Sequence, residues 1–245
     1  MKKVLASIGI GNATVDTVLP SETVRPGETV DAEVRIVGGN ATQEVGSIRF
    51  ELETRARTDD SYREVDIDRF TLAEGLTIEP GQEEIRPVSI DIPYATPVTM
   101  GNVDVWVETE LDIDLAVDPE DTDYLDVRPT ERLGTVFDAM DELGFSLRTA
   151  ECEVDPYGRY TSSGRFVQEF EFRPGSGRFR GELDEVELVA RPGPDELELF
   201  VEVDRRAGLL SEMAETDESK ARTTVRSTDV SRVSDEIGAI LERHA

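Results

Sequence analysis

Cysteine and histidine are almost absent from this sequence, which has one of each, Cys152 and His244. A lone cysteine excludes an internal disulfide framework, and its place on a predicted apolar strand face is typical of an inert core thiol. The lone histidine is the penultimate residue, so a Ser-His or Cys-His nucleophile has no suitable base. A structural zinc site needs about four nitrogen or sulfur ligands, and no Walker-type phosphate loop is present. We therefore predict no catalytic residue, no bound metal and no cofactor.

Long apolar runs are also missing. No window approaches the ~18 consecutive apolar residues that a membrane-spanning helix needs. Residues 1–11 faintly resemble a signal peptide, but Ser7 and Gly9 interrupt the apolar run, and a strand pattern follows directly. We predict that this segment is the first strand of a cytoplasmic protein that does not insert directly into a membrane.

Positive charge is scarce, because 26 Lys plus Arg stand against 54 Asp plus Glu, for a formal net charge of -28. Lysine occurs only at Lys2, Lys3 and Lys220. Such an acidic chain repels nucleic acid and anionic membranes, so nucleic acid is not predicted as a partner. The acidic residues are spread over nearly every predicted strand and turn, and at ~1 M salt a Debye length of ~3 Å would screen their repulsion. This acidic, lysine-poor and arginine-rich composition is typical of a cytoplasmic protein of a salt-accumulating halophile.

Alternating apolar and polar residues predict strands through the first half of the chain. The Pro-Gly pairs Pro26-Gly27 and Pro80-Gly81 mark turns that place the following strands. The strongest pattern runs over residues 103 to 117, with Val, Leu and Ile on one side and acidic residues on the other. Further strands are predicted near residues 12 to 18, 30 to 36, 48 to 57, 63 to 76 and 83 to 92.

The pattern changes beyond residue 128. Thr130 precedes apolar residues at helical spacing, and Gly144 is placed to end this helix. Alternation then returns, with a shift of apolar phase that predicts a β-bulge near Arg148 or Thr149. The sequence thus predicts an all-β fold of two tandem immunoglobulin-like β-sandwiches. They span residues 1–128 and 129–245, with a short interdomain helix and a C-terminal amphipathic helix.

Apolar residues in two places raise the choice between core and partner contact. Trp106 interrupts the acidic side of its strand, so it is either covered or exposed to a partner. The C-terminal helix, with Thr228 or Ser227 as its N-cap, has an apolar stripe that either docks on its own domain or meets a partner. The partner-contact candidates are Trp106, Val233, Ile237 and Leu241.

An acidic cluster, Asp118 to Tyr124, lies where the strongest strand pattern ends. It fits a solvated loop, and it lacks the Gly and the distant Glu of an EF-hand, so Ca²⁺ binding is only weakly indicated. Two arginines follow a strong strand of the second domain, and their pairing with these acids would form an interdomain latch that sets the angle between domains. The latch candidates are Asp118, Asp121, Asp123, Tyr124, Arg205 and Arg206.

Several phrases of the sequence resemble a known family. Val24 to Gly39 and Ile78 to Pro97 are similar to N-terminal arrestin-domain phrases. Later motifs are similar to the bacterial and archaeal sporulation-control proteins of the stage-zero protein M type, and the match covers nearly the whole chain. These motifs are Leu-Asp-Ile-Asp-Leu-Ala-Val-Asp118-Pro119, Gly144-Phe145-Ser-Leu-Arg, Phe166-Val-Gln-Glu-Phe-Glu-Phe172 and Val203-Asp-Arg205-Arg206-Ala. The resemblance implies two arrestin-like sandwiches, a non-enzymatic regulator and protein partners, and it carries over no catalytic residue.

Three functional hypotheses follow. The leading one is a cytoplasmic regulatory adaptor or scaffold that acts by protein–protein interaction. The second, from another class, is a carboxylate-dependent, metal-assisted hydrolase that uses the Asp118 to Asp123 cluster. The third is a purely structural sandwich protein. Protein partners are expected, and homo-oligomerisation is left open.

Overall fold

The computed structural model describes residues 13–113, 117–161, 166–205 and 218–244, which fall into two compact units. The first unit takes in the described residues within Met1–Thr54, with Asp66–Thr96 and Asp104–Val127. The second takes in Arg55–Val65, Pro97–Val103 and those within Arg128–Ala245. Two segments from before residue 128 therefore belong to the second unit. The strand predicted over residues 1–11 lies outside the described residues.

The first unit consists of strands in two sheets. The strands are β1 Thr14–Val18, β2 Thr23–Val24, β3 Thr29–Val37, β4 Gln43–Arg57, β5 Tyr62–Ile78, β6 Glu83–Asp91, β7 Val105–Ile113 and β8 Glu120–Val127, with the end of β4 and the start of β5 in the second unit. One sheet has the order β1-β3-β6 and is antiparallel. In the other, β7 lies between β4 and β8, β5 pairs with β4, and β2 runs parallel to β8.

Alternation in the sequence correctly predicts which face of a strand is buried. On β3, Ala32, Val34 and Ile36 are buried while the residues between them are exposed, as expected of a strand with one solvated face. The strand predicted over residues 103 to 117 is found at Val105–Ile113, and residues 114–116 lie outside the described part.

Both predicted Pro-Gly turns are confirmed. The amide of Glu28 donates to the Arg25 carbonyl at 3.1 Å, and Gln82 donates in the same way to Glu79 at 3.0 Å. The glycine at the third turn position has φ 92° at Gly27 and 68° in the second turn, a region that side chains disfavour. These turns fix where β3 and β6 begin.

The second unit combines a sheet with two helices. Its elements are α1 Glu131–Glu142, β9 Phe145–Val154, β10 Phe166–Pro174, β11 Leu183–Pro192, β12 Leu197–Arg205, β13 Glu218–Val225 and α2 Val230–His244. The strands β9 to β13 pair antiparallel, each with the next along the chain. One face of this sheet packs against α1 and α2, and residues such as Phe170, Leu188 and Leu199 form the core there with Val136 and Ile237 of the helices.

The helix ends and the bulge follow from local sequence. Thr130 caps α1 by accepting from the Leu133 amide at 3.4 Å, and Gly144 has φ 88° just after the helix, as predicted. The bulge is confirmed, because the β9–β10 register passes over Arg148. The predicted N-cap of α2, Thr228 or Ser227, is wrong. Asp229 caps it by accepting from the Arg232 amide at 2.9 Å, since a carboxylate one residue before the helix reaches its third amide.

The predicted fold class is confirmed: the described residues are mainly β, with one short helix and one C-terminal amphipathic helix, and this fits two tandem arrestin-like domains. In the second unit the two helices lie on the core side of the sheet. Among the described residues, no helix combines the length and the apolar character needed to cross a membrane.

Candidate functional site

A pocket of about 150 Å³ opens on the outer face of the second unit's sheet, opposite the helices. Its apolar wall is formed by Val189 and Phe200, which lie directly opposite each other on β11 and β12, and by the ring of Tyr160. Carboxylates from three neighbouring strands and one lysine complete its lining. The charged lining residues on the strands are Glu169, Glu187, Glu202 and Lys220.

One wall is held in place by the loop after β9. Asp155 is only 5% exposed, and it accepts from the amides of Arg159, Tyr160 and Thr161 at 2.7, 2.9 and 2.9 Å. Burial opposes its ionisation, but these backbone donors prevail and hold the pKa of Asp155 below its ordinary value. The loop thereby sets the Tyr160 ring edge-on to Phe200, with centroids 5.3 Å apart.

The pocket carboxylates are crowded and partly desolvated. Glu187 lies directly opposite Glu202 in the β11–β12 register, and all three glutamates are half-buried. Burial, and then the charge of neighbouring carboxylates, raises the pKa of both Glu169 and Glu187 to about 7. Within the described part of the chain, neither of these two glutamates forms an ion pair. Their carboxylates can therefore accept hydrogen bonds from a cation supplied by another molecule.

Among the pocket carboxylates, and within the described residues, Glu202 alone has a direct cationic partner. The Lys220 ammonium lies 2.8 Å from its carboxylate, and this hydrogen bond raises the pKa of Lys220. The nearby arginines are engaged at the margin. Arg222 pairs with Glu198 and stands 5.3 Å from the Phe200 centroid, and Arg159 lies 5.8 Å from the Tyr160 centroid.

This pocket was not predicted from the sequence, although a signal for it exists. Leu188 and Leu199 carry the core phase of their strands, so Val189 and Phe200 are apolar residues in the opposite, outward phase. An outward apolar residue on two successive strands indicates a covered or recessed spot on that face. The register that brings the two together is set by the turn between β11 and β12.

Trp106 is buried at 4% exposure, so its prediction as a partner contact is wrong. Its indole N–H donates to Glu53 Oε2 at 2.9 Å, and its ring lies 6.0 Å from that of Tyr124. A polar partner and a neighbouring ring let the indole remain buried on the acidic side of the strand.

Carboxylates come together near Trp106, but not at the predicted cluster. In the described part of the chain, Glu51, Glu53 and Asp66 place oxygens within 4.8 Å of one another, which is close enough to share a cation. Arg69 already forms ion pairs with this group, since its guanidinium lies 3.3 Å from Glu51 and 2.9 Å from Asp66. Burial, and then neighbouring carboxylates led by Glu53, raises the pKa of Glu108, opposite Glu51 on β7, to about 7. The group is therefore a charge-crowded patch compensated by an arginine.

Each of the predicted acidic latch residues is described within its own unit. Asp118 accepts from the Ile113 amide at 2.9 Å, and Asp121 accepts from the Thr17 amide at 2.7 Å. Asp123 is buried at 5% exposure, and Tyr124 is 57% exposed on the same strand. Arg205 ends β12, opposite Leu183, and Arg206 lies outside the described residues. The interdomain latch stays a prediction.

The partner-contact prediction for α2 is also wrong. Val233, Ile237 and Leu241 are each 0% exposed and belong to the core of their own unit. An amphipathic helix beside an apolar sheet face buries its stripe there, which is the alternative that the sequence analysis had offered.

Comparison with known proteins places the chain in a family. The family model described as SpoOM protein matches residues 1–207. The sporulation-control protein spo0M of Bacillus subtilis (strain 168) is 38% identical over 255 residues, which cover 100% of this chain and 98% of that protein. The crystal structure of Spo0M from Bacillus subtilis matches with a TM-score of 0.85 and 36% identity, over 96% of this chain and 100% of that one. The resemblance read from the sequence is confirmed, and the chain belongs to the Spo0M family of sporulation-control proteins.

Proposed function

We propose that this protein is a non-enzymatic regulatory adaptor that acts in the cytoplasm by binding other proteins, and that the pocket on the β10–β13 face is a docking site. Membership in a sporulation-control family, matched over the full chain, supports a regulatory role. The observation that carries the docking site is the apolar pair Val189 and Phe200, set inside a charged rim. Protein interfaces seat their anchoring side chains in such partly desolvated pockets, surrounded by a polar rim.

The hydrolase alternative is less well supported. It needs Asp118 to Asp123 to converge on a metal, but Asp118 and Asp121 accept from backbone amides at 2.9 and 2.7 Å. Those hydrogen bonds tie the carboxylates to the ends of strands. A carboxylate that organises the backbone serves a structural purpose, and this favours an adaptor over a metal-assisted hydrolase.

The test is affinity capture from extract of the protein's own host, in molar KCl and in low salt. Three full-length baits are compared: wild type, the pocket variant Glu169→Gln/Glu187→Gln, and the control Glu22→Gln/Glu83→Gln. The control removes two charges from exposed positions of the first unit. We expect proteins that wild type and control retain and that the pocket variant loses.

Two results would contradict the proposal, one refuting the adaptor function and the other refuting the docking site. If wild type retains nothing beyond the bare matrix in either salt, the adaptor function is wrong. If all three baits retain the same proteins to the same extent, binding occurs elsewhere and the pocket is not the docking site.

A further inference from the structure

We infer that the pocket on the β10–β13 face receives a lysine side chain of a partner protein. This inference rests on the proposed adaptor function and specifies what its docking site recognises. A lysine side chain has a four-carbon apolar stem and a compact ammonium head. Val189, Phe200 and Tyr160 offer the stem an apolar wall, and glutamates from β10, β11 and β12 face the head.

The arrangement of the carboxylates favours an ammonium over a guanidinium. Glu169, Glu187 and Glu202 come from three adjacent strands, which are spaced about 4.8 Å apart. An ammonium has three donors that point in different directions, whereas the flat guanidinium fork matches the two oxygens of one carboxylate. Arg222, at the margin of the pocket, is already paired with Glu198.

Lys220 is an internal example of the proposed contact. It is the one lysine among the described residues of a chain whose 26 basic residues are nearly all arginine. Its ammonium binds Glu202 at 2.8 Å and it lines the pocket. The same type of group is therefore already bound by one of the three carboxylates. The two that remain can bind a second ammonium delivered by a partner.

Electrostatics agrees with this geometry. The pKa of Glu169 and Glu187 is raised to about 7, because burial and neighbouring carboxylates disfavour their charge. A bound cation stabilises the charged carboxylates, so binding expels protons and strengthens as pH rises through neutrality, while lysine stays charged up to about pH 10. The charged and titratable groups that face these two glutamates are Glu151 and Glu153 of β9, Glu171 of β10, Glu185 of β11, Glu202 of β12, Lys220 of β13, Arg57 of β4, and Arg159 and Tyr160 of the loop.

The test is calorimetric titration of the full chain with short acetylated, amidated peptides of Gly and Ala that carry one central residue. The central residue is lysine, norleucine, arginine or acetyl-lysine, and free n-butylammonium is a separate probe. We expect the lysine peptide to bind at least about tenfold more tightly than the others, since one charge-assisted hydrogen bond exceeds the ~1.4 kcal/mol of a tenfold change. We also expect its affinity to rise between about pH 6 and about pH 8.

Matched variants locate the binding. Glu169→Gln/Glu187→Gln keeps side-chain size and is expected to weaken the lysine peptide by about tenfold or more, whereas Glu22→Gln/Glu83→Gln leaves it unchanged. Thermal unfolding of both variants checks that the fold persists. The inference is wrong if the norleucine or arginine peptide binds as tightly as the lysine peptide, or if the pocket variant binds it normally. Equal affinity for n-butylammonium would assign the pocket to a small amine instead. The adaptor function is tested separately by the capture experiment, so failure of the lysine inference would leave that function standing.

Discussion

Replacing Gln168 with leucine tests whether a single buried amide holds an early segment of the chain in the second unit. Gln168 is 8% exposed on the helix-facing side of β10. Its Oε1 accepts from the Val98 amide and its Nε2 donates to the Val98 carbonyl, both at 2.8 Å. Val98 is itself 2% exposed and belongs to the segment Pro97–Val103. The side chain therefore satisfies two buried backbone groups that are 70 residues away.

The magnitude follows from what leucine leaves behind. Leucine keeps the volume but offers no partner, so the buried N–H of Val98 loses its hydrogen bond, whereas the Val98 C=O keeps the one that it accepts from the Met100 amide at 2.9 Å. A buried donor without a partner costs roughly 1–3 kcal/mol, and the second bond lost at the carbonyl adds about 1 kcal/mol, less what relaxation of the segment recovers. We expect Gln168→Leu to lower the free energy of unfolding by about 2–3 kcal/mol.

Urea unfolding measures this change. Both described helices lie in the second unit, so their far-ultraviolet circular dichroism reports on it, and a shift of midpoint with an unchanged slope gives the difference. Gln82→Leu is the matched control, because the Oε1 of Gln82 accepts a single hydrogen bond, from Glu79 at 3.0 Å, in an exposed turn. It should cost less than about 1 kcal/mol. A loss below about 1 kcal/mol for Gln168→Leu would refute the reasoning, since a buried backbone N–H without a hydrogen-bond partner should cost more than that.

Three further predictions concern charge, backbone conformation and capping. Glu169 and Glu187 have folded pKa values of about 7 against an ordinary 4.5, so their ionisation destabilises the fold increasingly as pH rises through that interval. Their double change to glutamine should leave urea stability unchanged near about pH 4 and, after a discount for solvent screening, raise it by about 1 kcal/mol near about pH 8; equal effects at both pH values would contradict this. Gly144→Ala should lower thermal stability by about 2 kcal/mol, because φ is 88° and a Cβ would lie 2.5 Å from a backbone oxygen. Gly134→Ala in α1, where a Cβ meets nothing within 4 Å, should instead be neutral or stabilising. Asp229→Ala should cost about 1 kcal/mol by loss of the α2 cap, whereas Asp229→Asn should retain most of it, and hydrogen exchange in the first turn of α2 separates the two.

The fold was predictable because its determinants are local. Alternation on β3 and β7 predicted which side chains are buried, and Pro-Gly pairs predicted where strands begin. Gly144 predicted the end of α1, since only a residue tolerant of positive φ fits there. The bulge at Arg148 was visible as a change of apolar phase. Each of these features depends on neighbours within a few residues.

The candidate site was not predictable in the same way, because it depends on strand register. Val189 and Phe200 indicate an apolar spot only once the pairing of β11 with β12 is known, because that register places them opposite each other. The third apolar side of the pocket is the ring of Tyr160. Tyr160 lies in the loop after β9, and its backbone amide is held by the buried carboxylate of Asp155. The environment of Trp106 also depends on strand register. Its partner Glu53 belongs to the paired strand, so the sequence alone could not say that its indole is covered.

The strong acidity of the chain makes burial, more than net charge, the basis for discrimination at the pocket. With a formal net charge of -28, the surface attracts cations almost everywhere, and that attraction falls steeply as salt shortens the Debye length. A half-buried carboxylate beside Val189 and Phe200 is screened less, and the apolar contact with a lysine stem does not weaken with salt. Exposed acids such as Glu22 and Glu83 have neither advantage. In concentrated salt, diffuse attraction is thus suppressed, and the proposed lysine pocket would keep its preference, which would let the proposed adaptor distinguish one basic partner from many.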